Sequence, residues 1–175
     1  MIDHLPDDFE ATLVRDPQQS AARLIDRLAE LGWSVGVAES LTGGLVVSAL
    51  VAVPGASRVV RGGVVAYDSA IKRSLLGVDA ALLDAHGAVH PRVARQMAKG
   101  VREALAIDGR IADVGIATTG IAGPASPDGQ PVGTVHVAIS TPLGTRVDTL
   151  ALSGDRDAIR REAARIAIRR TLAAL

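Results

Sequence analysis

The sequence contains no cysteine among its 175 residues. It therefore cannot form disulfides, use a thiolate nucleophile or supply sulfur ligands to a zinc or iron–sulfur site, and the absence fits a reducing compartment. Histidine is scarce as well, and His4, His86, His90 and His136 show no paired spacing with further ligands. We therefore predict that the protein needs no metal and no cofactor.

Two further absences limit the range of partners. The 19 basic and 19 acidic residues leave no net charge that would attract nucleic acid or an anionic membrane surface. The longest apolar stretch, residues 45–53, is far shorter than the roughly 20 residues of a membrane-spanning helix. The opening MIDHLPDDFE lacks the basic segment and apolar run of a secretory signal. We expect a cytoplasmic protein without nucleic-acid or membrane partners.

Lysine is unusually rare in this chain. Lys72 and Lys99 are the only lysines, and every other basic residue is arginine. An arginine-biased genome explains such a composition. However, arginine keeps its proton because its pKa lies above about 12, whereas lysine can lose one. A retained lysine thus raises the question of whether an amine that can deprotonate is required there.

The hydrophobic pattern predicts one α/β domain. Residues 1–15 are weakly patterned and are interpreted as an amino-terminal tail, whereas residues 16–175 are long enough for one substantial core. The predicted order is helix, strand, helix, strand, three helices, three strands and a final helix. The predicted strands are residues 33–38, 59–67, 113–118, 133–140 and 145–152. A three-layer α/β/α fold satisfies this order, with a mixed, mostly parallel sheet and an antiparallel hairpin at its end.

A serine stands where the first predicted strand meets a helix, in the segment Glu39-Ser40-Leu41-Thr42-Gly43-Gly44. Backbone N–H groups at a helix N-terminus favour negative charge, so Thr42, Gly43 and Gly44 are candidates for binding an oxyanion or a phosphate. The alternative is structural, because Ser40 or Thr42 would serve equally well as an ordinary helix cap.

A serine nucleophile needs a base that takes its proton. The sequence has no GxSxG motif and no histidine in the context of a catalytic triad. Lys72 is a candidate base, provided that burial or a neighbouring hydroxyl group lowers its pKa toward neutrality. Tyr67, the only tyrosine, is a candidate for orienting it. The alternatives are a solvated surface lysine and a core tyrosine.

A glycine-rich loop follows the predicted strand at residues 113–118. Glycine lets backbone N–H groups approach a ligand closely, although many α/β loops have this composition. The candidate ligand-binding residues of this loop are Thr119, Gly120, Ala122 and Gly123. We interpret His86, in a separate His-Gly-Ala-Val segment, as a structural histidine.

Taken together, six sequence blocks resemble one known family. They are residues 38–44, 54–57, 62–67, 72–78, 86–89 and 119–124, the last joined by residues 131–135. In this order they resemble the CinA carboxy-terminal domain family, and the resemblance covers roughly residues 20–172. The joint occurrence of six blocks is more specific than any single block.

The resemblance implies an α/β/α domain that hydrolyses the carboxamide of nicotinamide mononucleotide to nicotinic acid mononucleotide and ammonia, without a metal. By position in the family's motifs, Ser40 matches the nucleophile and Lys72 its base. We expect a homo-oligomer with this small nucleotide as substrate. The alternative is a non-catalytic nucleotide-binding or interaction module, as the family's association with competence and DNA damage suggests.

The sequence departs from the family's pattern at several positions. His90 stands where serine is common, and residues 125–127 read Ala-Ser-Pro where glycines are usual. The second change stiffens the loop assigned to ligand binding. It therefore affects the expected substrate preference more than the expected type of reaction.

Overall fold

The computed structural model describes residues 17–126 and 129–175, so the predicted tail lies outside the described residues. The helices are α1 (Pro17–Leu31), α2 (Leu45–Val51), α3 (Ser69–Leu76), α4 (Ala80–His86), α5 (Pro91–Ala104) and α6 (Arg156–Leu172), with a 3-10 turn at Ala56–Arg58. The strands are β1 (Val35–Glu39), β2 (Val60–Val65), β3 (Val114–Gly120), β4 (Thr134–Thr141) and β5 (Gly144–Ala151). Among these described helices, none combines the length and hydrophobicity needed to cross a membrane.

The five strands form one sheet in the order β2-β1-β3-β4-β5. Strand β1 pairs in parallel with β2 and β3, whereas β4 is antiparallel to both β3 and β5. Among the described strands, β4 alone therefore runs against the others. The predicted mixed, mostly parallel sheet, the α/β class and the order of elements are confirmed.

The two faces of the sheet carry side chains of different size. Val37 and Ile116 face a core shared with α1, α2 and α6. Ala117, on the other face, packs with α3, α4 and α5. A Cβ atom at Gly115 would lie 1.9 Å from the carbonyl oxygen of Ala98 in α5, a separation that only glycine allows. Small residues on this face thus let α5 lie close to the sheet and complete the three layers.

The first strand begins two residues later than predicted, because Gly32 and Trp33 form the cap that follows α1. Gly32 has φ = 64°, and its N–H donates to the Ala29 carbonyl while the N–H of Trp33 donates to Leu28. This is the Schellman arrangement that ends many helices. The apolar character of Trp33 made it resemble a strand residue in the sequence.

The parallel strands bring three of the predicted segments to one edge of the sheet. Ser40 directly follows β1, Tyr67 lies just after β2, and Gly120 ends β3. Because β1, β2 and β3 run in the same direction, their carboxyl ends meet there, the usual location of ligand sites in α/β proteins.

Candidate active site

Ser40 is buried at the carboxyl end of strand β1, between β2 and β3 in the sheet. Its backbone N–H donates to the carbonyl of Thr118 over 3.0 Å, and its own carbonyl accepts from the N–H of Gly43 over 3.1 Å. These bonds continue the sheet for one residue and then close a tight turn. The hydroxyl group is therefore carried on fixed backbone.

Lys72 projects from α3 to this hydroxyl group and is completely buried, with 0% of its surface exposed. Its Nζ lies 3.0 Å from Oγ of Ser40 and donates to the carbonyls of Ala66 (2.8 Å) and Tyr67 (3.0 Å). The alternative of a solvated surface lysine is wrong. A neutral amine that donates to the two carbonyls keeps its lone pair for the proton of Ser40.

Tyr67 contacts Lys72 through its backbone carbonyl. The side chain is 64% exposed, so the alternative of a core tyrosine is also wrong. Its hydroxyl group accepts a hydrogen bond of 3.3 Å from Nη2 of Arg156. The ring thus forms an accessible wall next to the serine and lysine.

Glu39 is a further residue of this region that the sequence analysis did not single out. Its carboxylate is only 1% exposed, and it accepts N–H groups from Gly44 (2.9 Å), Val46 (3.1 Å) and Val47 (2.8 Å). The N-terminus of α2 therefore already holds an anion from the chain itself. An acidic residue shortly before a helix was the available signal, since helix N-termini favour carboxylates.

The turn residues Thr42, Gly43 and Gly44 stabilise the local structure and do not contact the pocket. Thr42 is buried, with its Oγ1 2.7 Å from Oγ1 of Thr118. The N–H groups of Gly43 and Gly44 donate to the Ser40 carbonyl and to Glu39, so neither is available to an oxyanion. Thr42, Gly43 and Gly44 do not line the pocket beside Ser40.

Another donor lies next to the serine, the backbone N–H group of Leu41. Within the described part of the chain, this group forms no hydrogen bond. One guanidinium group holds this backbone in place, because Nε of Arg160 donates to the Leu41 carbonyl (2.9 Å) and its Nη2 to that of Thr42 (3.2 Å). Leu41 also lines the pocket.

A pocket of about 340 Å³ opens beside these groups, within the range of small-molecule sites. Of the residues predicted from the sequence, it is lined by Ser40, Tyr67, Lys72, Thr119, Gly120, Ala122 and Gly123. The remaining walls come from Leu41, Ser69, residues 87–89, Ile121, Ala125 and Arg156. The glycine-rich loop and the serine and lysine are thus parts of one cavity.

Arg156, at the start of α6, is the only arginine of this pocket among the described residues. Its Nη1 donates to the carbonyl of Gly123 over 2.6 Å, and its Nη2 reaches Tyr67. The guanidinium group therefore links the glycine-rich loop to the tyrosine. In a chain so rich in arginine, no local pattern distinguishes this one, and only the docking of α6 brings it here.

Residues 86–90 lie next to the pocket and are held by contacts with Thr119 and with one another. Oγ1 of Thr119 donates to the Ala88 carbonyl over 2.8 Å, and the rings of His86 and His90 stack with centroids 4.6 Å apart. Nδ1 of His90 accepts the N–H of Arg92 over 3.2 Å and caps α5. Partial burial, followed by the charges of His86 and Arg92, lowers the pKa of His90.

His136 lies directly opposite Thr119 in the pairing of β3 with β4. The imidazole is buried, with Nδ1 3.0 Å from Oγ1 of Thr149 and Nε2 without a partner among the described residues. Burial first, and then the charge of His90, lowers its pKa. Within residues 17–126 and 129–175, no group of three or more histidines and carboxylates is arranged to hold a metal ion.

The family assignment follows from sequence comparison. The sequence model described as "CinA C-terminal domain" matches residues 17–175. The chain belongs to the CinA C-terminal domain family. The resemblance drawn from the six sequence blocks is thereby confirmed.

Relatives of the CinA family resemble the chain in sequence and in structure. A CinA-like protein of Anaeromyxobacter dehalogenans is 52% identical over 143 residues, which cover 81% of this chain and 34% of that protein. The crystal structure of the competence/damage inducible protein CihA from Agrobacterium tumefaciens is 34% identical and covers 98% of both chains, with a TM-score of 0.83. A CinA superfamily protein of Escherichia coli is 31% identical, with a TM-score of 0.85 over 100% of this chain and 96% of that one.

The chain spans about a third of the length of the curated CinA relatives that it matches. Their names refer to CinA or to competence and damage, and they specify no reaction. The comparisons therefore establish the family and the fold. The chemistry has to be argued from the pocket.

Proposed function

We propose that the chain hydrolyses the carboxamide of nicotinamide mononucleotide, giving nicotinic acid mononucleotide and ammonia. One observation carries the proposal: a fully buried lysine amine lies 3.0 Å from a serine hydroxyl group in the wall of a ligand-sized pocket. A nucleophile within hydrogen-bond distance of its base is the arrangement that covalent catalysis requires.

The first step is proton transfer from Ser40 to Lys72. Burial disfavours the charged form of an amine. The carbonyls of Ala66 and Tyr67 accept the two N–H groups of the neutral amine, and the lone pair then faces Oγ. The alkoxide forms as the proton moves to Nζ.

Oγ next attacks the carboxamide carbon and forms a tetrahedral intermediate. The Lys72 ammonium returns its proton to the leaving nitrogen, the C–N bond breaks, and ammonia departs from an acyl-enzyme. A water molecule that gives its proton to Lys72 attacks the acyl carbon. The bond to Oγ then breaks, nicotinic acid mononucleotide leaves, and Oγ recovers the proton.

The negative oxygen of the intermediate needs donors that are fixed in advance. The backbone N–H group of Leu41 fits this role, since Leu41 follows the nucleophile directly, lines the pocket and forms no hydrogen bond through this N–H within the described chain. This replaces the sequence-based assignment to Thr42, Gly43 and Gly44, which do not line the pocket. The N–H groups of Gly43 and Gly44 are also engaged elsewhere.

The rest of the pocket suits a nucleotide. The Arg156 guanidinium is a fitting partner for a phosphate group, because its planar fork matches phosphate oxygens. The exposed ring of Tyr67 offers a face to a cationic pyridinium. The glycine-rich loop at residues 119–123 lines the pocket, and its backbone groups can approach the ribose closely.

The decisive experiment measures ammonia release from nicotinamide mononucleotide by the purified protein and its Ser40→Ala variant. The variant should lose turnover almost completely while it still binds the nucleotide, because only the attacking oxygen is removed. Ser48→Ala, on the exposed surface of α2, is the matched control and should keep the wild-type rate.

Two results would contradict this function. A Ser40→Ala variant that retains more than about a tenth of the rate cannot have lost its nucleophile. Wild-type protein that binds the nucleotide but releases no ammonia would instead support the alternative of a non-catalytic binding module.

A further inference from the structure

A second cavity, of about 390 Å³, lies at the opposite edge of the sheet, where the amino ends of β1, β2 and β3 meet. Its polar and aromatic lining consists of Trp33, Ser34, Arg58, Arg61, Arg110 and Asp113. None of these residues takes part in the pocket around Ser40. The cavity is thus a separate feature that the proposed amidase reaction does not use.

The cavity has an excess of positive charge. It contains three guanidinium groups and one carboxylate, that of Asp113. Oδ2 of Asp113 is engaged locally, since it accepts the N–H and the Oγ of Ser34, both over 2.8 Å. The remaining charge, close to +2, matches a phosphate monoester, which carries about −1.5 to −2 at neutral pH.

The three arginines differ in how they are held. Nη1 of Arg61 donates to the carbonyls of Leu105 and Arg110 and is fixed by them. Arg58 is exposed and makes only a 3.3 Å bond from Nε to the Gly55 carbonyl. Arg110 is also exposed, and its guanidinium forms no hydrogen bond within the described part of the chain. The Nη groups of Arg58 and Arg110 are therefore available to an anion.

Trp33 supplies a planar surface beside these cations. It is the only tryptophan of the chain, and it is partly exposed although it packs against the core. Its backbone is fixed by the bond to Leu28 at the end of α1. Indole rings stack well on heterocyclic bases. An aromatic surface next to the available Nη groups of Arg58 and Arg110 suits a ligand that has both a ring and a phosphate.

We propose that this cavity binds a nucleoside monophosphate, with the base against Trp33 and the phosphate held by Arg58 and Arg110. A third cavity at the same edge offers an internal comparison. It measures about 360 Å³ and is lined by Arg95, Lys99 and Arg102, but it has no aromatic residue among the described ones. It offers charge without a stacking surface.

The test uses the intrinsic fluorescence of Trp33 during titration with adenosine monophosphate, with calorimetry as a second measurement of Kd. The fluorescence should change saturably as the base stacks on Trp33. The signal reports on this site alone, because the chain has no other tryptophan. Adenosine and inorganic phosphate should each bind about ten-fold more weakly or worse, since each loses one of the two contacts, which is a loss of about 1.4 kcal/mol or more.

Variants locate the bound nucleotide. The double variant Arg58→Ala, Arg110→Ala should raise Kd about ten-fold or more. The matched control Lys99→Ala, in the neighbouring cavity, should leave Kd unchanged. Arg156→Ala, in the pocket of Ser40, should leave unchanged the Kd that the fluorescence of Trp33 reports.

Three results would overturn the proposal. The first is a titration that shows no saturation up to about 5 mM nucleotide, because a specific site should bind more tightly than that. The second is a Kd that depends on Arg156 but not on Arg58 and Arg110, which would place the nucleotide in the pocket of Ser40. The third is inorganic phosphate binding as tightly as the nucleotide, which would leave Trp33 without a role.

Discussion

The chemistry proposed for this protein depends on one buried amine, and replacing Lys72 by arginine tests it. We expect Lys72→Arg to be as inactive as Lys72→Ala, because a guanidinium group cannot accept the serine proton. The measurement is kcat for ammonia release, with circular dichroism to verify folding. Lys99→Arg, at an exposed position, is the control and should remain active.

The same amine predicts how the rate depends on pH. A free lysine with a pKa of about 10.4 would be protonated at neutral pH and useless as a base. Activity should therefore rise with pH along a single ionisation well below that value. Near-normal activity of the arginine variant, or a rate that rises only near the free-lysine value, would mean that Lys72 acts as a fixed positive charge.

Glu39 gives a prediction about stability at the residue next to the nucleophile. Glu39→Gln keeps the shape of the side chain but removes its charge and places an amide NH₂ group among three N–H donors. We expect the free energy of unfolding to fall by about 1–3 kcal/mol and kcat to fall with it.

Urea denaturation of Glu39→Gln and of the exposed control Glu30→Gln measures this effect. Equal free energies of unfolding for the two variants would show that the charge of Glu39 does not stabilise the turn after Ser40.

At the scale of elements, the sequence predicts most of the helices and strands because their signals are local. Asp79 accepts N–H groups at the start of α4, and Gly77 has the left-handed conformation that ends α3. The order of the strands in the sheet is not a local property. Likewise, the burial of Lys72 could not be predicted, since α3 places it inward only through packing against other elements.

The cap of α5 gives a prediction about pH. Nδ1 of His90 accepts an N–H only when the ring is neutral, and the pKa of His90 is lowered in the folded protein. The unfolded chain then binds more protons, so this stabilisation is present above the ordinary histidine pKa of about 6.5 and is lost as the pH falls through that region. The pKa of His136 is also lowered, so its titration likewise reduces the stability of the folded protein as the pH falls.

The variant His90→Ser tests the cap, because serine caps a helix at any pH in this range. Between pH 7 and pH 5, the wild type should lose about 1 kcal/mol more stability than the variant. The measurement is urea denaturation at both pH values. An identical loss in the two proteins would exclude His90 as the source.

At the scale of the whole molecule, the family resemblance predicted the fold, and strand direction brought Ser40, Tyr67 and the glycine-rich loop together. The contribution of Arg156 could not be predicted, since it arrives from the far end of the chain through the docking of α6. The engagement of Gly43 and Gly44 also escaped prediction, because a helix N-terminus looks the same in sequence whether its donors bind a ligand or Glu39.

Association between copies of the chain remains a prediction. Val65, Ile71 and Leu75 are apolar yet exposed, Leu75 at 54%, and they lie in the segment that contains Tyr67. Sedimentation velocity should show a homo-oligomer that Leu75→Arg weakens. The control Leu143→Arg lies in the β4–β5 turn at 85% exposure and should have no effect. A wild-type monomer at all concentrations would contradict the prediction.

The burial of Lys72 also has a practical consequence for labelling. The chain has only two lysines, and Lys99 is exposed whereas Lys72 is not. An amine-reactive dye should therefore attach to one lysine side chain, on α5, and leave the other intact while the protein stays folded. The yield of the second modification, followed by mass spectrometry during denaturation, would then report when the interior opens.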